Sequence, residues 1–141
     1  MTTTDTVQAI DRDHQTLVGL CEEVARAGGR PGPELRELRM RLRAHCAAEA
    51  VHILPYLPGA MSRHRGSELP RLLDHAIDAA GGSDFAAAWE RFTEALHAHV
   101  THRPDFTALD RRGSGRRLAR RFELRRVAEL QAAMSRREAT A

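Results

Sequence analysis

The chain has 141 residues, enough for one domain with a buried core. Its 42% hydrophobic content fits a soluble globular protein, and no stretch approaches the roughly 20 apolar residues of a membrane span. The net charge of +3 is modest, and the opening Met-Thr-Thr-Thr-Asp lacks the basic and apolar regions of a signal peptide, so the cytoplasm is the expected location.

No alternating Val/Ile/Thr-rich run appears, whereas helical spacing recurs along the chain. Val7, Ile10, His14, Leu17, Cys21 and Val24 step by three and four, with Asp5 or a neighbouring threonine able to cap their start. Residues 27–32, rich in glycine, break this first helix. Pro33 suits the first position of a second helix, whose inner residues read Leu35, Leu38, Leu42, His45, Glu49 and His52. Pro55 to Gly59 ends it. A third helix runs to about Ala80 and stops at Gly81 and Gly82. Ser83 can cap a fourth, whose inner face reads Phe85, Trp89, Phe92, Leu96 and His99. Connections this short favour antiparallel neighbours, hence an all-α, up-down-up-down four-helix bundle over residues 1–110.

In three of these helices a histidine takes a slot where the pattern asks for a hydrophobe. Imidazole and carboxylate are ligands that iron, zinc and manganese accept readily. Residues three, four and seven apart share a helix face, so His45, Glu49 and His52 can point at one spot. A rise of about 1.5 Å per residue puts both His14 and His45 about 20 Å from the first break, and therefore level. The same measure matches His64 with His99, whereas His75 stands about 15 Å out of level. His64 is therefore preferred over His75 as the third-helix ligand. His102 follows His99 closely and is a further candidate. His97 lies between inward positions and is expected in solvent. Phe85, Trp89 and Phe92 are expected to pack in the core, and Cys21 and Cys46 to be buried free thiols.

Residues 111–141 differ in character. They carry ten arginines against Glu123, Glu129 and Glu138, whereas the first 110 residues hold 12 arginines and 16 acids. After the Arg-Arg-Gly-Ser-Gly hinge, Leu118, Phe122, Leu124, Val127, Leu130 and Met134 interleave with arginine pairs, which describes a basic amphipathic helix. It is expected to cover the bundle or to pair with a second copy in a homodimer. No recognised nucleic-acid-binding motif accompanies the charge.

The His14 helix, the pair His45 and Glu49 followed by Ile-Leu-Pro-Tyr-Leu, and the late His99 resemble the hemerythrin-like, or HHE cation-binding, domains. The resemblance covers about residues 8–109. It implies a four-helix bundle holding a non-haem di-iron centre through about five histidines and two carboxylates, which binds or senses dioxygen, peroxide or nitric oxide, stores iron or activates oxygen. With the departures below, one or two iron ions are expected. Zinc or manganese fits the same donors. Carried over residue by residue, the implied ligands are His14, His45, Glu49, His64 and His99. Two departures stand out. Four residues after His99, where the family places a glutamate, this chain has Arg103. His102 or Asp105 can supply the missing ligand if the helix unwinds before Pro104. His52, three residues after Glu49, is an additional donor at the Glu-x-x-His spacing used by ferritin-like di-iron bundles. The contrasting expectation is a non-catalytic interaction protein with a degenerate metal site, whose basic helix binds an anionic partner.

Overall fold

Glycine and proline punctuate the chain where its helical spacing breaks, and the helices obey them. The computed structural model describes residues 5–53, 55, 68–101 and 115–139. Among the described residues there are five helices and no strand: α1 (Asp5–Arg26), α2 (Pro33–His52), α3 (Glu68–Asp78), α4 (Phe85–Thr101) and α5 (Gly115–Ala139). The fold is all-α. No helix among the described residues is long and apolar enough to cross a membrane.

The α1–α2 turn depends on glycine for two reasons. Gly28 and Gly29 adopt φ of 78° and 67°, a left-handed backbone that only glycine takes up without strain. At Gly29 a Cβ would also collide with the Phe85 ring. Pro33 occupies the first turn of α2 after an extended Gly32, where its missing amide costs nothing. α4 begins at Phe85, later than a Ser83 cap implies, and the Asp84 carbonyl accepts the Ala88 amide. The Gly81 amide donates to the Gly29 carbonyl at 3.3 Å, tying the α1–α2 and α3–α4 turns together at one end of the molecule.

α1 packs on α2, α3 on α4, and α2 on α3, while α5 lies along α2 and α1. Two apolar clusters result. The larger, at the turn end, joins Leu17, Val24, Leu38, Leu42, Leu73, Phe92 and Leu96 from α1 to α4. Phe85 and Trp89 are partly buried against it, with their rings stacked. The smaller joins Ile10, Ala48 and Ile53 to Leu118, Ala119 and Phe122 of α5. The apolar residues of α5 do not form the single stripe read from the sequence: Leu118 and Phe122 point inward, while Leu124, Val127 and Met134 are exposed. Ile10 and Ala48 belong to one cluster, Leu17 and Leu42 to the other. His14 and His45 lie between these pairs in sequence, and they form the boundary between the two clusters.

Candidate metal centre

His14 and His45 reach this boundary because each continues the apolar stripe of its helix. On α1, His14 stands four residues after Ile10 and three before Leu17; on α2, His45 stands three after Leu42 and three before Ala48. Glu49 lies one turn beyond His45, and His99 arrives from the last turn of α4. One nitrogen or carboxylate oxygen from each of His14, His45, Glu49 and His99 lies within 4.8 Å of every other. The imidazole rings of His14 and His45 are 4.8 Å apart between centroids, and those of His14 and His99 are 5.2 Å apart. His14, His45 and Glu49 are buried, and the His99 side chain is 8% exposed.

The hydrogen bonds divide the four residues unequally. His45 Nδ1 donates to Asp13 Oδ2 at 2.6 Å and Nε2 donates to Glu49 Oε2 at 2.9 Å. Burial alone would disfavour a charged ring. The two carboxylates outweigh it and lift the His45 pKa to about 9, so the ring is an imidazolium at neutral pH. Glu49 Oε2 also lies 3.4 Å from His99 Nε2. His14 is different. Neither of its ring nitrogens has a hydrogen-bond partner among the described residues. Burial, reinforced by repulsion from His45 and His99, pushes its pKa down to about 3, so it keeps a lone pair available across neutral pH.

A buried imidazole with both nitrogens unsatisfied is costly, by about 1–3 kcal/mol. Such a cost makes physical sense where a ligand completes the shell. Metal–nitrogen bonds of about 2.1 Å place donors on opposite sides of one ion about 4.2 Å apart. A 4.8 Å span therefore closes on a single ion with small side-chain movements. The residues fit a transition-metal ion.

Asp13 is the site residue that spacing left unnoticed. It precedes His14, but it also stands three residues after Ile10 and four before Leu17, so it shares their face and is buried. The last helix was expected from the sequence, but its contacts with the site were not. The Phe122 ring meets His45 edge-on at 5.6 Å, and Arg126 Nε lies 3.7 Å from Asp13 Oδ1. A local reading has no signal for these contacts.

The other candidates among the described residues lie apart from the cluster. His52 shares the face of His45 but sits seven residues on, about 10 Å along the helix axis. It is half-buried instead near Arg121 and Arg125, where burial first and then those guanidiniums lower its pKa. The expected Glu-x-x-His pair does not converge on the cluster. His75 is exposed on α3 and His97 is exposed on α4. His64, His102, Arg103 and Asp105 lie outside the described residues. Cys21 and Cys46 are free, and burial raises both thiols to about 12, which leaves them protonated and unreactive at neutral pH. No family model, curated protein or solved structure matches this chain.

Proposed function

We propose that this chain is a non-haem metal protein of hemerythrin-like type, a helical bundle whose His14, His45, Glu49 and His99 hold one iron ion. The observation that carries this reading is the buried convergence of three imidazoles and one carboxylate, one imidazole having neither nitrogen satisfied. Three neutral nitrogens and one carboxylate suit iron, and also zinc or manganese. Among the described residues these four would hold the ion, and a position left open to a small molecule is the feature that separates reactive from structural metal sites. Iron bound there would supply a redox-active place for dioxygen, peroxide or nitric oxide.

The chain's own residues set the conditions. His14 offers a lone pair without first losing a proton. His45 would release the Nε2 proton that it now donates to Glu49 before that nitrogen could ligate. Metal uptake should therefore release close to one proton per ion near neutral pH. Phe122, fully buried, packs against the His45 ring. Among the described residues the four donors group about one position, which supports a single ion there.

Elemental analysis after expression in iron-rich medium tests the reading. We expect about one transition-metal ion per chain, most of it lost in both His45→Ala and Glu49→Ala. Wild-type protein without stoichiometric metal would end the proposal.

A second reading rests on a separate observation. A cleft of about 260 Å³ between α2 and α5 is lined by Arg36, Arg39, Arg43, Arg136 and Arg137 against Glu129, with Arg39 and Arg43 paired to Asp74 at its rim. Guanidinium groups at this density favour an anionic partner. Metal-free protein that retains a salt-sensitive anionic partner would support that reading instead.

A further inference from the structure

The last helix touches His45 by two routes. Phe122, fully buried, lays its ring edge against the imidazole. One turn later on α5, Arg126 faces the carboxylate that holds the other side of the same ring: Arg126 Nε to Asp13 Oδ1 is 3.7 Å, and Asp13 Oδ2 to His45 Nδ1 is 2.6 Å. Arg126 is only 18% exposed and is anchored from behind by Nη2 to Glu123 at 2.7 Å. Its Nε is shielded from solvent and has no hydrogen-bond acceptor among the described residues, so the charge of Asp13 is what it faces.

We propose that Asp13 and Arg126 are positioning residues of the metal centre, and that α5 is thereby a working part of it, its docking setting the metal affinity. This rests on the metal reading given above. A carboxylate on the Nδ1 side of an imidazole fixes the ring's orientation and tautomer and strengthens Nε2 as a donor. A buried carboxylate in turn requires a cation to offset it. Arg126, with its Nε 3.7 Å from Asp13 Oδ1, is placed to be that cation. The chain Arg126–Asp13–His45–Glu49 then runs from the C-terminal helix through α1 to both ligands on α2. Because the coupling is reciprocal, an ion at the centre should also hold α5 in place.

Cobalt(II) titration of the full chain, read by its visible absorption and by competition with a chelator, tests this. Asp13→Asn keeps the side chain's shape and a Nδ1 acceptor but removes the charge. It should weaken cobalt(II) about tenfold or more and alter the visible bands. Arg126→Met should weaken it about fivefold or more, with Arg126→Lys recovering part of the loss. The double variant should bind no more weakly than Asp13→Asn alone, since both act through one route. Amide exchange along α5 should slow when cobalt(II) binds to the wild type, which keeps the proposal testable should Arg126→Met fail to fold. Wild type that binds cobalt(II) while Arg126→Met binds equally well, losses that multiply in the double variant, or α5 exchange indifferent to the metal would each overturn this inference and leave the centre standing. Wild type that binds no cobalt(II) would overturn both.

Discussion

The two ends of the helical core are built on opposite principles. At the turn end Leu17, Leu38, Leu42, Leu73 and Phe92 are wholly buried with no ionisable group among them, and a hydrogen bond between Gly29 and Gly81 closes that end. Toward the other end Asp13, His14, His45 and Glu49 are buried at one level, with α5 supplying the far wall. The first region is stable by apolar burial, which depends on no ion or proton. The second is conditional. Its two carboxylates are offset by Arg126 and by a proton on His45, and its His14 is left with unmet hydrogen-bonding capacity. Such a layer gives up stability that an ion held by these residues could restore.

The sharpest separation of the two regions comes from truncating the dry one. Phe92→Ala should destabilise the fold by about 3–5 kcal/mol, read by chemical denaturation, while the metal content per folded molecule stays unchanged. Loss of metal in step with the truncation would show that the two regions are not independent.

The converse change is smaller and has the opposite sign. His14→Leu removes two unsatisfied buried nitrogens and should stabilise the metal-free protein by about 1–3 kcal/mol while abolishing metal binding. Its pH dependence sharpens the test. The folded pKa of His14, about 3, lies below its ordinary value of 6.5, so stability is present above 6.5 and drains away as pH falls toward 3. For His45 the folded value is about 9, above the ordinary one, so its contribution is complete below 6.5 and is lost as pH rises through 9. Together they place maximum metal-free stability near pH 6.5. In His14→Leu the acid-side fall should shrink and the alkaline fall remain. A variant less stable than the wild type, or with an unchanged acid limb, would contradict this account of His14.

The smallest effect belongs to neither region. Arg41 and Glu37 pair at 3.0 Å across one turn of α2, both partly exposed. Arg41→Ala should cost no more than about 0.5 kcal/mol and leave metal binding intact. A larger loss of either would mean that the outer face of α2 is linked to the centre.

Much of this arrangement was legible in the residues. Apolar spacing with Gly28, Gly29, Pro33 and Gly81 as punctuation located α1, α2 and α4 and the end of α3 to within a few residues. Counting the rise from the turns put His14 and His45 at one level, and the Gly29–Gly81 hydrogen bond gives the two pairs of helices a common origin for that count. These are local quantities, set by 3.6 residues per turn and by which side chains tolerate a given φ, so the sequence by itself determined them. Three matters were decided only by tertiary structure. Asp13 and His52 each share a face with a ligand, and period alone does not say which of them meets the cluster. That depends on how far along the axis the neighbouring helix sets its own donors. The burial of Phe122 and the exposure of Leu124 depend on the face that α5 turns toward α1 and α2, which a chain of mixed arginine and leucine leaves open. Arg126 meets Asp13 across 113 positions of sequence. Nothing near either residue specifies the other, because the field of a buried charge acts through space and not along the chain.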